Sequence, residues 1–389
     1  MKILIAHNAY QQRGGEDMVV EAEIALLREH GHAVEVYRRH NDDLAAMPRA
    51  QAAAATLWSP RSARDIEELC CSFAPDVIHV HNTFPLISPS LYWAAARCGV
   101  PVVQTLHNFR LLCPQAIFLR DGRICEDCVG KTPWRAIGRK CYRESALQSA
   151  VLTGMLAAHR ALGTYRHRIT RYIALTPFAR DKYVQGGLPA ERFRIKPNFI
   201  AAPQRPPQDA REGGLYVGRL SVEKGIDVLT DAARLLPGHG VQVIGAGPLD
   251  GAVRSAFGEA WLGPRALDEI LERMTRARFL VLPSICYENA PRTIVEAFSR
   301  GLPVLASRLG ALADIVEDGR TGLLFAPGDA HDLAAKIAWA NAHPGEMARM
   351  GRAAREEYER QYTPQRNHEL LIDIYEDAIA ALQRHPCPA

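Results

Sequence analysis

Short apolar runs alternate with amphipathic stretches along almost the whole chain. The apolar runs have the length and the β-branched content of buried parallel strands, and the stretches between them have the period of helices. In Glu16–His30, for example, Val20, Ile24 and Leu27 recur on one helical face before Gly31 ends the pattern. This repeated βα pattern predicts an α/β fold with parallel sheets.

The predicted strands fall into two series, which a segment without any period separates. This segment, residues 198–213, is rich in Pro and polar residues and is the predicted linker. We therefore predict an N-terminal domain at 1–197, a second domain at 214–365 and a C-terminal helix at 366–389, for which packing against the N-terminal domain is one option. Two doubly wound domains would face a cleft at the carboxyl ends of their strands, where such folds bind ligands. The predicted strands are Lys2–Ala6, Ala33–Arg38, Asp76–His81, Pro101–Leu106, Arg171–Leu175, Gly214–Gly218, Gly240–Gly245, Arg278–Pro283, Leu302–Ala306 and Leu323–Phe325.

The composition fits a chain of two globular domains. The 389 residues are 48% hydrophobic and 23% charged, which excludes disordered, collagen-like and coiled-coil chains. No apolar run approaches the ~20 residues that span a bilayer, and the opening run is too short for a signal-peptide core. A net charge of +4 is too mild to indicate nucleic acid, and no nucleic-acid-binding motif accompanies it. We expect a cytoplasmic protein.

A strand of the second series runs directly into Gly218–Gly225, which reads GRLSVEKG. Arg219 and Lys224 in this segment could clamp a diphosphate, the first as a planar fork and the second as a point charge. Ser221 is expected to cap the helix that follows. A Lys in a first helical turn is unfavourable unless an anion pairs with it. A plain connector with surface charges is the alternative interpretation.

The segment Glu288–Glu296, which reads ENAPRTIVE, follows another predicted strand. Pro291 suits the first turn of a helix, so the backbone N–H groups near Asn289–Thr293 would face the strand end and suit a phosphate. Eight helical residues span about 12 Å, whereas a retaining hydrolase needs its two carboxylates ~5 Å apart. Glu288 and Glu296 should therefore bind two ends of one extended ligand. A helix cap is the alternative role for a carboxylate near a helix start.

Two glycine turns lie at the carboxyl ends of other predicted strands. Gly245–Pro248 (GAGP) lacks the spacing of a dinucleotide-binding GxGxxG loop, because the next glycine comes one position late and the proline has no N–H. Gly14–Asp17 (GGED) follows the first strand and opens the first helix. Its glycines permit the close approach of a ligand, and a flexible turn is an equal interpretation.

Together these four elements resemble the retaining GT-B glycosyltransferases of family 4, the glycosyl transferases group 1. The resemblance covers nearly the whole chain and rests on the order and spacing of the motifs. It implies that Arg219 and Lys224 bind the donor diphosphate, that Glu296 holds the ribose hydroxyls, and that Glu288 holds the transferred sugar. His107, after a first-domain strand, matches a family histidine near both sugars. The remaining implied donor contacts are Gly14, Gly15, Gly245, Asn289, Ala290, Pro291 and Thr293.

The resemblance also implies a reaction. A hexosyl group would pass from a nucleotide sugar, such as a UDP- or GDP-sugar, to a glycan or lipid-linked acceptor in cell-wall or other cell-surface polysaccharide biosynthesis. We expect a front-face, retaining reaction in which the leaving phosphate accepts the proton of the acceptor. Arg219, Lys224 and helix N-termini would stabilise the leaving group without a metal ion. Arg292 stands where many relatives have an apolar residue, and the sequence identifies neither nucleotide nor sugar.

Residues 110–145 form an insertion that combines four cysteines with many basic residues. One CxxC is present where a zinc ribbon has two, so a structural zinc, separate thiols and a redox pair all stay open. Trp134 lies among Arg and Lys residues, which suits peripheral contact with anionic lipid or a lipid-linked acceptor, and a solvated loop is the alternative. The four cysteines are Cys113, Cys125, Cys128 and Cys141.

Two other functions share parts of this pattern. A nucleotide-sugar 2-epimerase of GT-B fold needs acid–base groups at one sugar carbon, and the sequence singles out none. A non-catalytic sugar-nucleotide-binding protein would not need the intact set of Arg219, Lys224, Glu288 and Glu296. Slow hydrolysis of one nucleotide sugar from a panel would distinguish these functions.

Overall fold

The computed structural model describes the chain except for residues 12–13, 203–210 and 385–389. Half of the predicted linker, residues 203–210, therefore lies outside the described residues. The rest divides into two compact units, and the C-terminal helix and part of the cysteine-rich insertion each group away from their neighbours in sequence. The first unit contains Met1–Ala116, Glu126–Pro197 and 367–384, and the second contains Ile117–Cys125 and Asn198–Arg366.

Each strand predicted from the sequence is present, with shifted ends. The additional strands are short, and two or three residues give too few positions for a period to be seen. In chain order the strands are β1 (Lys2–Ala9), β2 (Ala33–His40), β3 (Val77–Asn82), β4 (Val102–Leu106), β5 (Leu119–Arg120), β6 (Arg123–Ile124), β7 (Arg171–Ala174), β8 (Phe193–Ile195), β9 (Gly214–Val217), β10 (Val241–Ile244), β11 (Trp261–Gly263), β12 (Phe279–Leu282), β13 (Val304–Ser307) and β14 (Gly322–Phe325).

Helices connect the strands and form the C-terminal part of the chain. None of the described helices has the length and the apolar content that crossing a membrane requires. In chain order the helices are α1 (Gly15–Glu29), α2 (Arg49–Leu57), α3 (Pro60–Phe73), α4 (Ser90–Arg97), α5 (Arg135–Gly138), α6 (Ala146–Ala161), α7 (Thr164–His167), α8 (Pro177–Gln185), α9 (Ile226–Leu235), α10 (Asp250–Phe257), α11 (Leu267–Arg276), α12 (Arg292–Ser299), α13 (Ala311–Ile315), α14 (Ala330–Ala342), α15 (Pro344–Gln361) and α16 (Pro364–Arg384).

Each unit is built on one six-stranded parallel sheet. The strand order is β2-β1-β3-β4-β7-β8 in the first unit and β11-β10-β9-β12-β13-β14 in the second. The order reverses direction between β1 and β3 in the first sheet and between β9 and β12 in the second. Loops leave such switch points in opposite directions and open a crevice at the carboxyl ends of the strands. The prediction of two doubly wound α/β units with C-terminal helices is confirmed.

The cores follow from the alternation of side chains along the strands. In β12, Leu280 and Leu282 pack into one cluster of the second unit, whereas Phe279 and Val281 pack into the other. Helices therefore cover both faces of this sheet, and β12 is a fully buried apolar run. In the first unit, α1 and α16 pack on the same cluster, where Leu371 of α16 is fully buried. The C-terminal helix is thus part of the first core.

Candidate functional site

Three of the predicted motifs meet at the switch point of the second sheet. Gly218–Gly225 follows β9, and the loop that contains Glu288 follows the neighbouring strand β12. Gly245–Pro248 follows β10, which pairs with β9 on its other side. Parallel strands end at the same edge of a sheet, so the three segments lie together where this fold class binds ligands.

Backbone hydrogen bonds join these three loops. The amide of Leu220 donates to the carbonyl of Ala246 at 3.1 Å, and the amide of Leu249 donates back to the carbonyl of Leu220 at 3.0 Å. Across the switch point, the amide of Ile285 donates to the carbonyl of Glu223 at 3.1 Å. Backbone contacts therefore already hold the three loops together.

Two glycines allow the loops to approach this closely. Gly225 has φ +70°, and a Cβ there would lie 1.8 Å from the carbonyl oxygen of Pro283. Gly245 has φ +143°, and a Cβ there would lie 1.8 Å from the carbonyl oxygen of Gly218. Both contacts are far inside the van der Waals limit, so a side chain would push the loops apart. Gly245, an implied donor contact, thus has a packing role that the sequence did not reveal.

Lys224 and Glu288 form an ion pair across the switch point. Lys224 Nζ lies 2.6 Å from Glu288 Oε1, and the Ser284 hydroxyl donates to the same oxygen at 2.7 Å. Burial works to lower the pKa of Lys224, but the Glu288 carboxylate outweighs it and holds this pKa above its usual value. The anion that the sequence required beside Lys224 is therefore Glu288.

The segment around Ser221 differs from the expected helix start. Val222–Lys224 forms a single 3₁₀ turn, and the α-helix begins only at Ile226, after Gly225 in a left-handed conformation. The Ser221 hydroxyl lies 2.6 Å from a Glu223 carboxylate oxygen and makes no capping hydrogen bond. Glycine favours this left-handed break, so Lys224 lies before the helix rather than in its first turn.

Arg219 is the exposed cation of this site. Its carbonyl oxygen accepts a hydrogen bond from the Tyr216 hydroxyl at 2.8 Å, which fixes the backbone. Its guanidinium makes no hydrogen bond or ion pair with the part of the chain that the structure describes. The planar fork is available to an anion from solvent.

The expectation of one continuous helix from Glu288 to Glu296 is wrong. Pro291 has extended torsion angles and caps α12, so Glu288 lies in the preceding loop and the helical distance between the two carboxylates does not apply. Glu296 is nearly buried on α12, 3.2 Å from Arg292 Nε. Burial raises the pKa of Glu296, and Arg292 only partly opposes the shift. The unusual Arg292 is thus the partner of Glu296.

The other implied donor contacts surround the start of α12. Asn289 is buried, and Thr293 is half-buried in the first helical turn. The carbonyl of Ala290 accepts a hydrogen bond from the Asn198 side-chain amide at 3.2 Å. These contacts hold the loop at the N-terminus of α12, and the free amides of a helix N-terminus suit an anion.

The GGED turn of the first unit leaves room beside its backbone. The amide of Gly14 donates to Asp17 Oδ2 at 2.9 Å, and the other Asp17 oxygen lies 2.8 Å from His7 Nε2. Neither Gly14 nor Gly15 has a positive φ, and a Cβ on Gly15 would meet nothing within 4 Å. Packing within the chain does not require glycine here, so the open space is available to a ligand.

His107 lies directly after β4, at the carboxyl edge of the first sheet. It lines a cavity of about 50 Å³ together with Asn82, Gln104 and Arg110. Its Nε2 lies 2.9 Å from Nδ1 of His81, on the neighbouring strand β3. Burial lowers the pKa of His107 to about 3, so the ring is neutral at neutral pH.

Sequence reasoning missed a buried polar group next to His107. Glu23 and Lys196 form an ion pair at 2.5 Å, and both side chains are fully buried beside His79 and His81. Two signals were present in the sequence. Glu23 falls on the apolar face of α1, and the two histidines alternate along β3 and so share one face.

The cysteines and basic residues of the insertion are divided between the units. Cys125 groups with the second unit, whereas Cys113, Cys128 and Cys141 group with the first. Zinc binding by this set stays a prediction. Trp134 is 60% exposed, in keeping with an interfacial residue.

The side chain of Asp127 neutralises part of the basic segment. It lies 3.5 Å from Arg135 and 2.5 Å from Arg139. Arg139 lowers the pKa of Asp127 by a hydrogen bond and by its charge, with a smaller contribution from Arg135. The carboxylate is therefore charged at neutral pH and partly neutralises the Arg135 and Arg139 side chains.

Comparisons with known proteins agree with this geometry. The family model for glycosyl transferases group 1 matches residues 211–342, and the model for a glycosyl transferase 4-like domain matches residues 14–198. The 2-deoxystreptamine glucosyltransferase of Streptomyces kanamyceticus is 30% identical over 77% of this chain and 76% of that protein. The chain belongs to the group 1 glycosyltransferases.

This group 1 glycosyltransferase is also similar to a plant enzyme and to solved structures. Sulfoquinovosyl transferase SQD2 of Arabidopsis thaliana is 28% identical over 77% of this chain, and the match spans just over half of that protein, 56%. Among solved structures, Anabaena HepE in complex with UDP has a TM-score of 0.67 and 18% identity, over 97% of this chain and all of that one. This likeness shows the GT-B fold.

The contact between the loops predicts the effect of a single methyl group in this group 1 glycosyltransferase. Gly225→Ala should lower the free energy of unfolding by about 1–3 kcal/mol, because alanine is strained at φ +70° and overlaps the Pro283 carbonyl. Urea denaturation measures the change. Gly251→Ala is the control, since Gly251 lies in α10 with open space around it and the substitution should be neutral or stabilising. Equal stability of the two variants would contradict the packing role of Gly225.

Proposed function

We propose that the protein transfers a hexosyl group from a nucleoside diphosphate sugar to a glycan or lipid-linked acceptor, with retention, in cell-surface polysaccharide biosynthesis. The observation that carries the proposal is the switch point of the second sheet, where Lys224 is paired with Glu288 and Arg219 is exposed in the same loop as Lys224. Membership of the group 1 family supports glycosyl transfer. UDP and UDP-glucose in crystals of Anabaena HepE support a nucleotide-sugar donor.

A nucleotide sugar matches the charges of this site. Its diphosphate would take Arg219 and Lys224 as partners, as cations suit a charged leaving group. Its sugar and ribose hydroxyls would donate to Glu288 and Glu296. Both carboxylates have a cationic neighbour in the structure, 2.6 and 3.2 Å away, so the donor would exchange partners with groups that are in place.

The proposed reaction proceeds on one face of the sugar. The bond between the anomeric carbon and the diphosphate oxygen breaks, and the acceptor oxygen attacks from the same side. The departing phosphate oxygen takes the proton of the acceptor hydroxyl. His107 is too weak a base for this step at neutral pH, because burial lowers its pKa to about 3, so a hydrogen-bonding role suits it better.

Replacement of Lys224 tests the donor site. Incubation with a panel of UDP- and GDP-sugars should reveal one that the wild type hydrolyses slowly without acceptor. Lys224→Gln should reduce that hydrolysis by about 10–100-fold, the effect of one charged hydrogen bond to the leaving group. Lys336→Gln, on α14, is the matched control and should hydrolyse at the wild-type rate. A product epimerised at C2 would favour the epimerase, and binding without turnover would favour a non-catalytic protein.

Chelation tests the proposal that catalysis needs no metal ion. Activity should survive dialysis against EDTA, because Arg219, Lys224 and the α12 amides would stabilise the leaving group. Loss of activity that Mg²⁺ or Mn²⁺ restores would contradict this.

A structural zinc is proposed separately at Cys113, Cys125, Cys128 and Cys141. The zinc content should fall in Cys128→Ser and stay unchanged in Cys71→Ser, whereas zinc-free wild type would refute the site.

Vesicle binding tests the proposed peripheral contact of a cytoplasmic enzyme with the inner face of the plasma membrane. A variant with Arg135, Arg139 and Lys140 changed to Glu should bind anionic vesicles more weakly, because lipid attraction supplies about 1 kcal/mol per basic residue. The matched control changes Arg234, Arg276 and Arg349 of the second unit to Glu, with the same net charge. Equal binding of both variants and wild type in a sedimentation assay would remove the membrane proposal.

A further inference from the structure

A continuous series of buried polar contacts leads from an ion pair to His107 within the first unit. Glu23 Oε1 lies 2.5 Å from Lys196 Nζ, and Glu23 Oε2 lies 3.5 Å from Nε2 of His81. Nδ1 of His81 lies 2.9 Å from Nε2 of His107. Glu23 and Lys196 are 0% exposed and His81 is 3% exposed, so bulk water does not reach them. Burying a charge costs free energy unless the charge is paired, so the Glu23 carboxylate and the Lys196 ammonium each need the other.

The protonation of this series follows from its geometry. Burial works to raise the pKa of Glu23, but Lys196 outweighs it, and Glu23 is a carboxylate at neutral pH. Burial and the neighbouring His107 lower the pKa of His81 well below its usual value, so His81 carries one proton. A lone pair on Nε2 would face the Glu23 carboxylate and be repelled, which assigns the proton to Nε2. Nδ1 of His81 is then an acceptor.

The tautomer of His81 in turn determines the tautomer of His107. Nδ1 of His81 can only accept, so Nε2 of His107, 2.9 Å away, must carry the proton and donate it. His107 is neutral and has no second proton. Its Nδ1 is therefore left with a lone pair.

We propose that His81 is a positioning residue, which fixes His107 as the Nε2–H tautomer so that Nδ1 accepts a hydrogen bond from a hydroxyl of the sugar substrates. The proposal rests on the proposed function for the identity of the substrate, and on the first unit alone for the tautomer. Under this proposal, Nδ1 of His107 favours a ligand hydroxyl that donates a hydrogen bond and disfavours a ligand group that can only accept one.

A metal site is the competing interpretation of the same residues. One ligand atom each of Glu23, His79 and His81 lie within 4.8 Å of one another. However, the Lys196 ammonium lies 2.5 Å from Glu23 Oε1, next to the position that a metal cation would take. The two ring nitrogens of His79 each lie 2.7 Å from a hydroxyl, those of Tyr375 and Thr105. A cation would displace these partners next to another cation, so the hydrogen-bonded interpretation is favoured.

Nitrogen-15 NMR of the full-length protein tests the tautomer without any substrate. Long-range ¹H–¹⁵N correlations should show His107 with a protonated Nε2 and an unprotonated Nδ1 at neutral pH, and its signals are assigned by their loss in His107→Ala. His81→Phe keeps a ring but removes both nitrogens, and it should release His107 into a mixture of tautomers. His159→Phe replaces another buried histidine of the first unit and should leave the His107 signals unchanged. A His107 protonated at Nδ1 in the wild type would overturn the proposal.

A double-mutant cycle tests whether His81 acts through His107. His81→Phe should lower kcat/KM for the donor by about five- to tenfold, the loss expected for one hydrogen bond. In a His107→Ala background it should have no further effect. His81→Asn keeps an oxygen that can accept from His107 and should retain more activity, which also serves if the Phe variant does not fold. An equal loss in both backgrounds would overturn the proposal.

Failure of the substrate contact can be told apart from failure of the proposed function. If His107→Ala leaves kcat/KM unchanged while Lys224→Gln abolishes donor hydrolysis, then the contact at His107 is wrong and glycosyl transfer stands. If no nucleotide sugar is turned over, the proposed function and the substrate contact both fail, and the NMR result still decides the tautomer.

Discussion

Backbone contact between loops, permitted by glycine at positions 225 and 245, determines where the charged side chains of the second unit lie. A methyl group at either position would fall 1.8 Å from a carbonyl oxygen of the facing loop. The switch point between β9 and β12 brings the loops to one edge, but only their close approach puts Lys224 within 2.6 Å of Glu288, 64 residues later in the chain. The Lys224–Glu288 ion pair therefore depends on the absence of a side chain at positions 225 and 245.

The ion pairs that this close approach permits also affect ligand binding. Lys224 and Arg292 each lie beside a carboxylate, so the site holds its cations and acids in position before a ligand arrives. A ligand with both a diphosphate and hydroxyls can offer an acceptor to each cation and a donor to each carboxylate. Such a ligand exchanges one set of hydrogen bonds for another, and little ordering entropy is lost. A simple phosphate would compete for Lys224 and offer Glu288 no hydroxyl in return, so that Glu288 would keep only the Ser284 hydroxyl as a partner, which favours a complete nucleotide sugar.

The sequence predicts the fold well because the governing signal is local. Strands covered by helices on both faces are buried along their whole length, as every residue of β3, β4 and β12 is, and such strands are rich in apolar residues. The motif Gly218–Gly225 could likewise be placed after a strand from its own residues. The sequence indicated that Lys224 needs an anion beside it but did not identify Glu288 as that anion. Nothing in the local sequence specifies which loop lies opposite Lys224. The break before α12 was missed since proline suits both the first helical position and a cap.

The buried group beside His107 lies beyond local prediction for a different reason. Its members come from α1, β3, the end of β4 and the residue after β8, and Glu23 and Lys196 are 173 residues apart. Sequence could at most note that Glu23 interrupts an apolar helix face, and such an interruption implies a buried partner without naming it. Once the partner is known to be Lys196, the charge on Glu23 is fixed, then the proton on His81, then the proton on His107. Under our proposal, His107 thereby takes its hydrogen-bonding character from an ion pair that is itself fully buried.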